Sequence, residues 1–88
     1  MFSAARWSAS IFKSTEYFRY TRDRPDRLAI LDDWIVLAIR YPVAETTQAD
    51  GRIRRWVYIP DKQRYLRVVL LADGETVHNA FLDRRFRP

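Results

Sequence analysis

Gly51-Arg52-Ile53-Arg54-Arg55-Trp56-Val57-Tyr58-Ile59 is the stretch whose reading decides the fold. Its odd positions from Ile53 carry Ile, Arg, Val and Ile, and its even positions from Arg52 carry Arg, Arg, Trp and Tyr. A period of two predicts a strand with one dry face. The next apolar run, Tyr65 to Leu71, is rich in β-branched residues and leads to Asp73-Gly74, the signal for a two-residue type I′ hairpin. Glu75 to Phe81 is then the return strand. A second turn signal, Asp50-Gly51, joins the decisive strand to a weaker, polar one over Val43 to Ala49.

Those turns predict a register. The Asp73-Gly74 turn sets Leu71 opposite Thr76, Leu70 opposite Val77 and Val69 opposite His78, with Arg67 diagonal to His78. Matching dry faces across the connection from Pro60 to Tyr65 pairs Ile59 with Leu66 and Val57 with Val68. Closing the Asp50-Gly51 turn with two residues pairs Ala49 with Arg52, Thr47 with Arg54 and Glu45 with Trp56. The expected result is one polar face holding Arg52, Arg54, Trp56, Tyr58, Arg67, His78 and Glu45. A slip of one residue in any strand would dissolve that cluster.

Upstream, Ser14 or Thr15 is a suitable N-cap for a short helix from Glu16 to Arg22, ended by Pro25. A longer helix is predicted from Leu28 to Tyr41, stopping at Pro42. Its stripe of Leu31, Trp34, Ile35, Ala38 and Tyr41 needs a dry partner, and the sheet supplies one. Trp7, Ile11 and Phe12 are expected to cover the core. The fold class is therefore α+β, with one or two N-terminal helices packed on one face of a four-stranded antiparallel sheet, in a single domain spanning residues 1–88.

The chain has 88 residues, 16 basic against 11 acidic, and a net charge of +5, which favours a polyanionic partner. All the basic residues but Lys13 and Lys62 are arginines, the side chain better suited to bidentate phosphate contacts and base stacking. With no cysteine and one histidine, neither a zinc site nor a disulfide framework is expected, and a reducing, cytoplasmic setting fits. Two glycines, both assigned to turns, leave none for a phosphate-cradling loop. No apolar run reaches the length of a membrane span, and no cofactor is expected.

Metal-free cleavage of RNA needs a base, a cation at the scissile phosphate and an acid for the leaving oxygen. Glu45 or His78 is the candidate base, Arg54 and Arg67 the phosphate clamp, and His78 the acid. Trp56 and Tyr58 are candidate stacking platforms for unpaired bases, with Arg52, Arg84 and Arg85 as further nucleic-acid contacts. Arg67 interrupts an apolar strand, so it needs an anionic partner; a structural ion pair with Glu45 is the plain alternative to a site.

The basic strand Arg54 to Tyr58, the run Tyr65-Leu66-Arg67-Val68-Val69 and the strand Thr76 to Phe81, after a helix ending in Tyr41-Pro42, resemble the RelE/ParE superfamily of small bacterial toxins. The nearest part looks like its BrnT-like branch. The resemblance implies helices on one sheet face, an RNA-cleaving endoribonuclease site on the other in active members, and an acidic antitoxin as partner. By that resemblance Arg54, Arg67, His78 and Glu45 are the site residues, and Phe86 stands where active relatives carry a tyrosine. The alternative is a non-catalytic module that uses the same face to bind nucleic acid or an acidic protein.

Overall fold

The protein's structure, a computed structural model, describes residues 11–88, so Trp7 lies outside the described residues. Two helices, α1 (Glu16–Thr21) and α2 (Asp32–Arg40), precede four strands: β1 (Ala44–Thr47), β2 (Ile53–Ile59), β3 (Arg64–Leu70) and β4 (Val77–Asp83). The strands form one antiparallel meander in the order β1-β2-β3-β4. Helix α2 packs across β2 and β3, and α1 sits against β4. This is the expected α+β arrangement.

Helix α1 starts where its cap dictates. Thr15 is extended, and its Oγ1 accepts the amide of Phe18 at 3.1 Å, while Glu16 occupies the positive end of the helix. Helix α2 is shorter than the periodicity implies. Arg24 to Ile30 instead forms successive tight turns, and Leu31 takes an extended N-cap conformation. Asp32 then opens the helix and pairs with Arg22 at 2.5 Å. The buried face of α2 is consequently Ile35 and Ala38, flanked by Trp34 and Ile39, while Leu31 and Tyr41 are exposed. The stripe loses its two end residues, Leu31 and Tyr41, because at each end the backbone leaves helical geometry.

The core joins this face to Val57, Ile59, Leu66, Val68, Leu70, Val77 and Ala80, with Phe18 from α1. Leu66 and Leu70 are completely buried in the central strand pair. Truncating either to alanine costs about 2–5 kcal/mol. Phe12 packs edge-on against Phe18, with ring centroids 5.8 Å apart. Just after it, Lys13 to Thr15 runs along β4: the Thr15 amide donates to the Val77 carbonyl and the Val77 amide donates to that of Lys13.

The registers depart from expectation at all three connections. Gln48 donates to the Arg52 carbonyl and Gly51 donates to that of Gln48, so the first hairpin closes with three residues rather than two. Gly51, at φ +93°, occupies the left-handed position such a loop requires. Adding one residue slips β1 by one: Glu45 now faces Arg55, and Thr46 faces Arg54. Glu45 therefore lies on the helix-covered side, opposite the face expected for it. Between β2 and β3 a 3₁₀ turn, Pro60–Lys62, and left-handed Gln63 make a shorter connection, pairing Ile59 with Arg64. That shift is by two residues, so every side chain keeps its expected face.

The third connection combines both outcomes. Leu71 and Thr76 pair as expected, though around a four-residue loop whose Asp73 carboxylate accepts the amides of Glu75 and Thr76 and the Thr76 hydroxyl. Those bonds lower the Asp73 pKa to about 2. Leu70 then faces Val77, again as expected, but Val69 faces Asn79, so His78 is the extra residue of a β-bulge. From there on every partner is displaced by one. Arg67 faces Phe81, and Tyr65 faces Asp83.

Candidate nucleic-acid interface

The open face of the sheet carries Arg54, Trp56 and Tyr58 from β2, Tyr65, Arg67 and Val69 from β3, and Asn79, Phe81 and Asp83 from β4. Of the four residues expected to make a catalytic set, the structure brings only Arg54 and Arg67 onto one face. His78 lies three residues along β4 from the partner of Arg67, about 10 Å at strand spacing. Its ring stacks on Tyr17 with centroids 4.9 Å apart, and its Nδ1 meets Thr15 Oγ1 at 3.2 Å. The bulge and the contacts with the segment bordering β4 thus fall on the same residue.

Because Thr15 Oγ1 already accepts the Phe18 amide, its proton is free to go to His78 Nδ1, which suits a neutral imidazole protonated at Nε2. Burial and, secondarily, the charge of Arg52 push the His78 pKa below its ordinary value, against a weaker opposing effect of Asp50. Glu45 is committed elsewhere. Its Oε1 accepts Arg55 Nε at 2.6 Å, while Arg55 Nη1 donates to the Ile39 carbonyl at the end of α2. This pair ties the edge hairpin to the helix.

Arg67 does have the anionic partner that its place in an apolar strand demands, but the partner is Asp83. One oxygen of the Asp83 carboxylate accepts Arg67 Nε at 3.1 Å, Arg67 Nη2 at 3.0 Å and the Trp56 indole N–H at 3.0 Å. Its other oxygen accepts the Arg85 amide at 3.1 Å. Burial alone would raise this carboxyl, but the four donors outweigh it and hold Asp83 below the ordinary carboxylate value. Arg67 also lies 4.8 Å from the Phe81 ring centroid and 5.6 Å from that of Trp56. It is a structural hub, with only its outer edge facing solvent.

Trp56 is likewise unavailable as a stacking platform. It is 5% exposed, because Phe86 from the C-terminal segment lies parallel to it at 4.5 Å. Tyr65 packs edge-on to both Phe86 and Tyr58. Tyr58 remains 41% exposed, the most open of the aromatics on this face. Arg52 pairs loosely with Asp50 at 3.7 Å, whereas Arg84 and Arg85 are exposed beyond β4. Among the described residues, Arg54, Arg64, Arg84, Arg85 and Arg87 have no carboxylate partner.

Arg27 belongs to this surface too, though no strand pattern marks it. It reaches from the turns after α1 to donate to Asn79 Oδ1 at 2.7 Å, with its guanidinium 5.4 Å from the Phe81 ring. Asp83 had a signal in the sequence, the unsatisfied need of Arg67; Arg27 had none, being 52 residues from its partner. Among the described residues, no group of three His, Asp or Glu side chains gathers as a metal site, and no described helix is long and apolar enough to cross a membrane.

No family model, curated protein or solved structure matches this chain.

Proposed function

We propose that the open sheet face binds single-stranded RNA and does so without cleaving it. The observation that supports this reading is the division of labour on that face: its carboxylate is saturated by Arg67 and Trp56, while Arg54 has no carboxylate partner among the described residues and shares a strand face with exposed Tyr58. A guanidinium without a carboxylate partner and an exposed ring four residues further along the same strand face suit a single strand laid along β2. The separation of Glu45 and His78 from Arg67 argues against the base, clamp and acid of metal-free cleavage.

In this reading the protein works in the cytoplasm. An acidic protein of the kind that partners RelE-like toxins would compete with RNA for the same arginines. The test is fluorescence anisotropy with a labelled single-stranded RNA across a salt series, run beside a metal-free cleavage gel. Salt-sensitive binding that weakens in Arg54→Ala, with the RNA intact, is expected. Cleavage that disappears in His78→Ala would restore the enzymatic alternative; absence of RNA binding by the folded chain would end the RNA reading.

A further inference from the structure

At the end of the sheet where β3 begins and β4 finishes, two like charges border the same hollows. The paired register ends with Tyr65 facing Asp83, leaving Arg64 as the first residue of β3 and Arg84 just beyond β4. The acids that share the two hollows, Asp83 and Asp26, are engaged by other arginines, Arg67 and Arg27. Asp83, the nearest carboxylate in register, is already held by Arg67, Trp56 and the Arg85 amide. Among the described residues, neither Arg64 nor Arg84 has a carboxylate partner.

Both arginines border the same two hollows. One, of about 290 Å³, is walled by Tyr58, Tyr65 and Phe86 and also receives Arg87. The other, of about 340 Å³, lies on the Phe81 and Arg27 side, where Asp26, paired with Arg27, also borders it. The aromatic wall is prearranged: Tyr58 and Phe86 each meet Tyr65 edge-on, at 5.2 and 5.0 Å. Phe86 is in turn fixed against Trp56. Two guanidinium groups without a carboxylate partner among the described residues, set beside an aromatic wall, are complementary to an anion that carries a flat ring.

We propose that this hollow is a nucleotide subsite, in which Arg64 and Arg84 bridge one phosphate and the Tyr58–Tyr65–Phe86 wall receives its base. The subsite rests on the reading of the open face as an RNA surface and extends it, giving the strand a fixed end beyond Tyr58. Arg87 supplies a further cation for a neighbouring phosphate.

The test is an NMR titration of the full chain with adenosine monophosphate, adenosine and inorganic phosphate in parallel. The monophosphate is expected to shift the amides of Tyr58, Arg64, Tyr65, Arg84 and Phe86, and to bind more tightly than either fragment. Arg84 is exposed, so Arg84→Gln should keep the fold while weakening monophosphate binding roughly fivefold to tenfold. Arg40→Ala, at an exposed position at the end of α2, should leave monophosphate binding unchanged. Equal binding of phosphate and monophosphate, or shifts confined to the Arg54 region, would overturn the subsite. If RNA binds through Arg54 while the monophosphate leaves the hollow unmoved, the subsite fails and the RNA reading stands. Monophosphate binding in the hollow with no RNA binding gives the reverse result.

Discussion

Arg67 and Arg54 sit on adjacent strands of one open face, yet they serve different ends. Arg67 is matched by a buried carboxylate, which it shares with the Trp56 N–H, and by two aromatic rings, those of Trp56 and Phe81. Arg54 faces Val69 and has no carboxylate partner among the described residues. The difference arises one strand away, where Asp83 falls diagonal to Arg67 because the bulge at His78 has shifted β4 by one residue. A basic face can therefore hold two populations of arginine, one that stabilises the sheet and one that remains free to meet a ligand. Strand position alone does not distinguish them.

The largest effect expected from breaking this contrast is at Asp83. Asp83→Ala leaves the Trp56 N–H and the Arg67 guanidinium without their shared acceptor and is expected to destabilise the protein by about 2–3 kcal/mol, less than for a fully buried pair because the Arg67 side chain is 26% exposed. Urea unfolding checks this. The same network predicts an acid dependence. The Asp83 pKa is lower in the folded than in the unfolded chain, so its stabilisation is complete above the ordinary carboxylate value near 3.8 and is lost as pH falls below it. In Asp83→Asn that part of the acid-induced loss should disappear.

Arg54→Ala should do the opposite. Its stability is expected to lie within about 0.5 kcal/mol of the wild type, as for a surface substitution without a charged partner. RNA affinity should fall, and the slope of log affinity against log salt should decrease by about one. Arg67→Ala, by contrast, should cost stability first. If Arg54→Ala unfolds the protein and Arg67→Ala affects only binding, the division between the two arginines is wrong.

Glu45 tests the neighbouring pair on the covered face. Glu45→Ala removes the partner of Arg55 but leaves the bond from Arg55 to the Ile39 carbonyl, and Glu45 is about half exposed. A loss of about 0.2–1 kcal/mol is expected, with no change in RNA affinity. A large fall in affinity would mean that Glu45 acts at the open face after all.

Strands, their order and the dry face were legible because a two-residue period is written directly into Ile53 to Ile59 and Tyr65 to Leu70. The shift between β2 and β3 was harmless to the reading, since moving by two residues preserves faces. Loop length was not legible to the same degree. Asp50-Gly51 and Asp73-Gly74 are the same dipeptide, yet they close three- and four-residue loops in which each glycine takes the left-handed position next to a type I-like turn. That one extra residue moved Glu45 across the sheet. Nor does any local pattern announce the bulge at His78, whose cause is tertiary: Lys13 to Thr15 borders β4 there, and Thr15 and Tyr17 take the ring. The site residues were recognisable as types, whereas their grouping depended on two single-residue slips.

His78 supplies the smallest effect and the sharpest check on that grouping. Its pKa is lower in the folded chain than the ordinary value of 6.5, so near neutrality both folded and unfolded chains hold it uncharged and it makes no pH-dependent contribution. As pH falls through 6.5 the unfolded chain takes up the proton first, and stability should decline until the folded pKa is reached. This window opens near 6.5 and that of Asp83 near 3.8, so a stability profile from pH 8 to pH 3 meets the two groups in turn. His78→Gln should flatten the upper window while leaving the lower one unchanged. An upper window of opposite sign, with stability rising as the histidine charges, would mean that His78 faces a carboxylate. That would return it to the kind of acid–base pairing from which the bulge removes it.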